Sequence, residues 1–357
     1  MSVTTAKRPL VGMTIEEMTA FVAELGEPKF RAKQLFQWVY EKWAKSFDEM
    51  TNLSNAFRAK LEEHALLRLL EEETRQQASP TETAKYLFRL TDGQKVESVL
   101  MRHSYGNAVC VTTQVGCRMG CTFCASTFGG LVRNLTAGEI VDQIIMMSRD
   151  LPAGERIGSV VLMGSGEPME NYDECLKAIR LMHEPDGLNI GYRHITISTS
   201  GLVEGMRKLA DEGLPITLAL SLHAPNDELR TQLMPINRKY SVKEVLDAAI
   251  DYGEKTGRRV TYEYLLIEGV NDNPEQALEL AGLLKGSLAH VNLIPMNPVS
   301  ERPQYRRPGK ERITHFRDLL EENGVTATIR REMGGDIDAA CGQLRNRVAR
   351  TRGESRS

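Results

Sequence analysis

Between residues 108 and 332, seven short apolar runs alternate with six longer amphipathic stretches. The runs are AVCVTTQ, SVVLMG, HITISTS, ITLALSLH, RVTYEYLLI, HVNLIPMN and ATIRRE; the first stretch is TAGEIVDQIIMMSRD and the last KERITHFRDLLEENG. Runs this short and this rich in Val, Ile and Thr have the length and composition of strands, whereas apolar residues every three to four positions mark helices. Regular alternation predicts a parallel sheet with right-handed crossovers, because a parallel neighbour is reached only through a long connection. An open doubly wound sheet and a full or partial barrel both satisfy that rule. In either, ligands bind at the carboxyl ends of the strands. The polar and glycine-rich segments follow those ends here: GCRMGCTFC after the first run, GSGEP at the second, STSG at the third, SLHAPND at the fourth, GVND at the fifth and NP at the sixth. Six polar endings therefore converge on one mouth.

The first ~90 residues have a different rhythm. TIEEMTAFVAELGEP predicts a helix capped by Thr14, acidic in its first turn and stopped by Gly-Glu-Pro. PKFRAKQLFQWVYEK places Phe30, Leu35, Phe36, Trp38 and Val39 on a broad apolar face, and TNLSNAFRAKLEEHA places Leu53, Phe57 and Leu61 at four-residue spacing. Three short helices make a small bundle. KYLFRLTDGQKVESVLMRH then alternates like a hairpin turning at Asp92-Gly93. The chain divides into a helical accessory domain with its hairpin (1–95), an α/β body (96–345) and a basic tail (346–357).

No apolar run approaches the ~20 residues of a membrane helix, and the amino terminus has no secretory apolar core. A cytoplasmic location is expected, where thiols stay reduced and clustered cysteines point to metal or catalysis before disulfides. The net charge of −3 carries no sign of a nucleic-acid partner, but its distribution does. Arg302–Arg312 holds five Arg/Lys against one Glu, and LRNRVARTRGESRS at the end of the chain holds five Arg against one Glu. Such local excess can contact phosphates.

Of six cysteines, Cys117, Cys121 and Cys124 fall within the single stretch GCRMGCTFCAS. A structural zinc site takes four ligands, usually from two such knuckles or from added histidines. No second knuckle follows, which leaves His103 or His223 to complete one. An iron–sulfur cubane normally takes four cysteines; held by three, it keeps one iron open to an exchangeable ligand. Gly116 and Gly120 let the backbone wrap closely, and Phe123 can shield the centre from water. Cys110 lies near the end of the first run, Cys175 reads as structural in the helical DECLKAI, and Cys341 lies beyond the last run in GGDIDAACGQL. Gly334-Gly335 makes a turn there that lets the segment reach over the mouth.

A CxxxCxxC loop after the first strand of such an alternation resembles the radical S-adenosylmethionine (SAM) superfamily. The resemblance implies a 4Fe-4S cluster on Cys117, Cys121 and Cys124, with SAM chelated at the open iron. It favours an α/β fold of the partial (β/α)6 barrel type, preceded by the small helical domain. It also implies the SAM contacts: Gly166 and Glu167 for the methionine amine, Ser198, Ser221, Leu222 and His223 for carboxylate or ribose, and Asn297 for adenine or ribose. GSGEP is not a dinucleotide fingerprint, since the third glycine and its helix are missing.

QVGCRMGCTFCAS, GLVRNLTAGEI, MGSGEP, STSG, SLHAPND, RKYSV, GVND, HVNLIPMNP and DIDAACGQL together closely resemble the RNA adenine methyltransferases of that superfamily, over almost the whole chain. CASTFGG and GSGEPMEN are nearer the branch that methylates adenine C2 in 23S ribosomal RNA (the peptidyl-transferase-centre adenine) and in tRNA (an anticodon-loop adenine). A sister branch methylates C8 of ribosomal adenine and confers antibiotic resistance. Adenine C2 is electron-poor and has no lone pair, so it cannot attack a SAM methyl group directly and an activated carbon is needed.

The resemblance implies a relay. One SAM methylates the Cys341 thiolate, and a second yields a deoxyadenosyl radical that takes hydrogen from that methyl group. The carbon radical adds to the base, Glu97 removes the ring proton, and Cys110 releases the product through a transient disulfide with Cys341. A carboxylate at the edge of a dry pocket is expected to have a raised proton affinity. The base must be flipped or single-stranded to reach the mouth. An electron donor of the flavodoxin or ferredoxin type and a monomeric state complete the expectation. Two rivals stay open: C8 methylation, and a zinc-stapled RNA-binding protein without catalysis.

Overall fold

The computed structural model describes residues 6–78, 83–297 and 302–330. After β1 (Arg8–Pro9), the amino-terminal segment forms α1 (Ile15–Glu24), α2 (Phe30–Tyr40) and α3 (Asn55–His64), and β2 (Ala65–Leu66) returns to pair in parallel with β1. Thr14 caps α1 in a capping box with Glu17, each satisfying the other's free N–H. Leu35, Phe36, Val39, Leu53, Phe57 and Leu61 are buried, as their spacing predicts. Phe30 departs from that expectation at 62% exposure. It is the first residue of α2, and its ring lies under the Arg31 guanidinium, 5.0 Å away, instead of in the core.

β3 (Leu70–Gln77), β4 (Thr83–Leu90), β5 (Lys95–His103) and β6 (Gly106–Cys110) pair antiparallel in succession, with the β4–β5 turn at Asp92-Gly93. A small hairpin, β7 (Gln114–Gly116) and β8 (Leu131–Asn134), holds the cysteine loop between its arms. The alternation follows: α4 (Ala137–Ser148), β9 (Ile157–Leu162), α5 (Tyr172–His183), β10 (Ile195–Thr199), α6 (Val203–Asp211), β11 (Thr217–Ser221), α7 (Asp227–Leu233), α8 (Val242–Thr256), β12 (Val260–Leu266), α9 (Pro274–Leu284), β13 (Ala289–Pro295), α10 (Lys310–Glu322) and β14 (Ala327–Ile329).

β6 and β9 to β14 are parallel, and the ten-strand order β14-β13-β12-β11-β10-β9-β6-β5-β4-β3 never reverses. A doubly wound sheet reverses its order at a switch point. A monotonic order with right-handed crossovers keeps all the helices on one face. Because β14 and β3 remain edges, the result is a partial (β/α)6 barrel continued by an antiparallel flank. On the helix-covered face Val160, Leu162, Ile195, Ile197, Leu218, Leu220, Val291 and Leu293 join the core. The opposite face, by strand alternation, carries polar rows that run across the strands: Ser198, Ala219, Thr261 and His290, then Ser221, Glu263, Asn292 and Thr328.

One buried carboxylate joins bundle to barrel. Asp142 of α4, fully buried, accepts from the N–H groups of Leu69 (2.7 Å) and Leu70 (3.2 Å) and faces Arg68. Arg68 in turn donates to the carbonyls of Val39 and Ala44 in the bundle. Among the described residues no helix is long and apolar enough to cross a membrane.

Candidate active site

The cysteine loop leaves β7 through a turn that only glycine tolerates. Gly116 has φ +80°, and a Cβ there would lie 2.0 Å from the Gly130 carbonyl oxygen, which instead accepts from Cys117 N at 3.0 Å. The loop's underside rests on the end of α7, where Thr122 N donates to Leu233 O at 2.9 Å. From the other side Tyr305 hydrogen-bonds Thr122 Oγ1 at 2.8 Å, and the Arg302 guanidinium lies 4.6 Å over the Phe128 ring. Phe123 packs edge-on against His223, with centroids 5.0 Å apart.

Cys117 and Cys121 are buried and Cys124 is half-buried. Burial pushes all three thiols up, Cys117 to about 12, and neighbouring thiols oppose the ionisation of Cys117 and Cys121 further. A cationic metal centre beside such thiols favours their thiolate forms. Among the described residues no group of three or more His, Cys, Asp or Glu side chains is placed to hold a single metal ion. Three soft thiol donors on one short loop are the donor type that iron–sulfur clusters take, so the residues fit one. His103, one of the two histidines able to complete a zinc site on paper, lies at the β5–β6 turn, at the end of β6 remote from the cysteines. It stacks there on Tyr105.

The second polar ending is clasped to the first. Thr113 N and Gln114 N both donate to Ser165 O, and Glu167 N donates to Gln114 Oε1 at 2.8 Å. Gly166 has φ +110°, and a Cβ on it would meet Gln114 Cβ at 2.6 Å. The Glu167 carboxylate is buried and accepts from Met169 N (3.0 Å) and Ser200 N (2.7 Å), tying the end of β9 to that of β10. Burial pushes this carboxyl up while those N–H groups pull it back. The buried hydroxyl of Ser165 has no hydrogen-bond partner. Buried polar atoms are nearly all paired, so an orphan in this turn marks a place for a polar ligand.

Ser198 and Ser221 stand in the polar rows of the open face. Leu222 is buried, and its carbonyl accepts from Arg230 Nε at 3.1 Å. His223 adopts a left-handed conformation, φ +58°. Its Nδ1 accepts from Leu265 N at 2.9 Å, and its own carbonyl accepts from Asn271 Nδ2 at 2.8 Å. Burial pushes its pKa down to about 3, with the Arg230 charge adding to the effect. His223 is therefore neutral, with its proton on Nε2 and available to a ligand. Asn297, half-buried, follows β13, which is fixed to β12 by Met296 N donating to Leu266 O.

The opposite side of the mouth carries Glu97 and Cys110. Glu97 is 6% exposed, not the surface glutamate that a hairpin suggests, and Lys85 Nζ lies 2.8 Å from its Oε2. Cys110 sits in the next strand, paired with Val99. Burial pushes its thiol up; Arg330 and Lys85 act against that and Glu97 with it, so these charges share one neighbourhood. Cys341 lies outside the described residues. Cys175 is buried in α5 within the core. Sequence reasoning missed Lys85, Gln114, Arg230 and Asn271. Lys85 and Arg230 sit in an ordinary strand and an ordinary helix, and only their burial distinguishes them.

A three-thiol loop at the mouth of a six-crossover partial barrel, with β9 to β13 each ending in polar groups, defines a radical SAM enzyme. Residues 111–281 match the radical SAM superfamily, and residues 9–67 match the ribosomal RNA large subunit methyltransferase N-terminal domain. A probable dual-specificity RNA methyltransferase RlmN of Symbiobacterium thermophilum is 73% identical over 344 residues, covering 96% of this chain and 93% of its own. The protein of the same description from Desulforamulus reducens is 55% identical over 331 residues, with 93% and 94% covered. The crystal structure of a radical SAM methyltransferase from Sphaerobacter thermophilus matches with a TM-score of 0.91 at 46% identity, covering 94% of this chain and 98% of that one. The chain belongs to the RlmN family of dual-specificity RNA methyltransferases, whose cofactors are a 4Fe-4S cluster and SAM.

Proposed function

We propose that this chain methylates adenine C2 in 23S ribosomal RNA and in tRNA, by way of a methylated Cys341. The observation that carries the reading is the buried group of Glu97, Lys85 and Cys110 beside the mouth of a chain of this family. Cys117, Cys121 and Cys124 would hold the cluster; Gly166, Glu167, Ser198, Ser221, Leu222, His223 and Asn297 would hold SAM. When bound, these cofactors supply the methyl carbon and the radical chemistry that activates it.

The chain's own residues do the rest. Cys341 carries the carbon as a thioether, and Glu97 takes the C2 proton on its carboxylate. Cys110 sulfur bonds to Cys341 sulfur as the sulfur–carbon bond to the base breaks; the bonding pair passes to carbon, which takes a proton to become the methyl group, and a thiol reductant returns the disulfide to two thiols before the next turnover. Because burial holds Cys110 as a thiol, this step waits on loss of its proton, which the nearby charges of Arg330 and Lys85 favour. Cys341 follows Arg330 by eleven residues, a span that reaches ~40 Å at most.

The basic segment expected to meet RNA is seated at the mouth itself. Tyr305 and Arg302 bind the cysteine loop, Arg306 O accepts from Glu268 N, and the Arg306 and Arg307 side chains are exposed. Phosphate contact there, with the target base flipped, predicts binding that weakens steeply with salt. A one-electron donor of the flavodoxin or ferredoxin class, a monomeric state and a cytoplasmic location belong to the same reading.

The test is nucleoside analysis of RNA treated with anaerobically reconstituted enzyme. 2-Methyladenosine is expected, whereas 8-methyladenosine would assign the sister chemistry, and no methylated adenosine would overturn the reading. Cys341→Ala should keep its cluster and lose methylation. Cys110→Ala should accumulate a nuclease-sensitive protein–RNA adduct; rapid turnover in either variant would refute the relay.

A further inference from the structure

Arg230 is the largest fully buried side chain described, and its hydrogen bonds all go to neutral oxygens. Nε donates to Leu222 O (3.1 Å), Nη1 to Asn237 Oδ1 (3.0 Å), and Nη2 to Ser200 O (2.6 Å) and Ser221 O (3.2 Å). It forms no ion pair among the described residues. Asp227 acts on it only at longer range, its Oδ1 being taken by Asn237 Nδ2 (2.9 Å) and Val242 N (2.7 Å). Burial pushes the guanidinium down to about 10, still well above neutrality, so the charge stays. A buried cation without a counter-charge is costly, and such groups are normally paired.

The position of α7 identifies the counter-charge. The carboxyl end of this helix carries the cysteine loop through the bond from Thr122 to Leu233, and Leu233, Met234 and Cys121 belong to one apolar cluster. Arg230 lies one helical turn before Leu233 on this helix, so its guanidinium and the cysteine loop share one buried neighbourhood. A cluster held by the three thiols would gain one negative charge in this buried place on reduction. A fixed cation beside it favours the reduced form, because cluster potential follows local charge and burial. The same fork also clamps the ends of β10 and β11, where the SAM residues of the proposed function stand.

Resting on that proposed function for the cluster, we infer that Arg230 is a positioning residue with two tasks. It is the fixed counter-charge that favours one-electron uptake from the donor protein, and the clamp that sets the spacing of the two SAM-binding strand ends. The experiment is a potentiometric titration followed by EPR, with dithionite as the reductant and no SAM. It uses full-length wild-type, Arg230→Gln and Arg230→Lys proteins, reconstituted anaerobically and matched for iron and sulfide.

Arg230→Gln is expected to shift the reduced-to-oxidised ratio at a given potential about tenfold toward oxidised, equivalent to ~59 mV for one electron. Arg230→Lys keeps the charge, so its midpoint should match wild type, while its SAM dissociation constant rises because the planar fork is lost. An unchanged midpoint in a fully loaded Arg230→Gln protein overturns the inference. If the glutamine protein does not load iron, the lysine protein decides: a matching midpoint with weakened SAM binding supports the inference, and a tenfold shift in it overturns it. Wild-type protein that binds no iron would sink the cluster reading itself, an outcome distinct from either result.

Discussion

The two sides of the mouth are built from different materials. On the β9 to β12 side, buried polar side chains are spent on backbone. Glu167 holds the N–H groups of Met169 and Ser200, Arg230 holds three carbonyls, and Asn271 holds the carbonyls of His223 and Leu265. On the β4 to β6 side, Lys85 and Glu97 face each other as an ion pair beside the Cys110 thiol. The first side fixes where strand ends lie and has little freedom to titrate. The second keeps ionisable groups together, where protons and sulfur have to move. On the proposed function, a site that holds a cofactor still while a base and a thiol do chemistry on a polymer needs both.

Four measurements would break or sharpen that contrast. The largest effect is expected from Cys121→Ala, on the loop that the tied side supports: iron content should collapse and SAM cleavage with it, and retained cleavage would undo the assignment of the loop. Next is Lys85→Met, which leaves the Glu97 carboxylate buried without this ammonium and should cost about 3–5 kcal/mol in chemical denaturation. Adding Glu97→Gln should restore much of that stability but no methylation; if activity returns, the ion pair is structural only.

Glu167→Gln keeps one acceptor and turns an amide donor toward backbone N–H groups. A loss of about 1–3 kcal/mol is expected, together with weaker SAM binding by calorimetry. The smallest effect is in pH. His223 is at about 3 in the fold and at ~6.5 unfolded. The unfolded chain therefore binds more protons in that window, and stability is lost as pH falls from 6.5. His223→Gln should remove about 1 kcal/mol of the loss between pH 7 and pH 5.5; an identical acid limb in both proteins would show that the imidazole is not held neutral.

Periodicity made the strands and helices legible, and the spacing of Cys117, Cys121 and Cys124 made the cluster loop legible, because both are local properties of the chain. The choice between a doubly wound sheet and a barrel was not local: it depends on strand order, which the structure supplies and apolar runs do not. Lys85 was illegible, and Glu97 was singled out only through the family resemblance, for a related reason. Both lie in an alternating hairpin, and alternation alone does not say which of its faces the fold covers. Arg230 reads as a routine basic residue near a helix end, and only its complete burial shows that its targets are the ends of two distant strands. Phe30 is the converse, an aromatic residue at core spacing left outside because it begins its helix.

The unreversed strand order also bears on how the molecule is made. Every strand between the edges β3 and β14 lies between its nearest predecessor and successor in the sheet, with only the β7–β8 hairpin set aside. No strand has to wait for a distant partner to emerge from the ribosome, so the sheet can lengthen one edge at a time as the chain is synthesised. The three thiols are in place after the first parallel strand, and the walls that will enclose them arrive afterwards, in sequence.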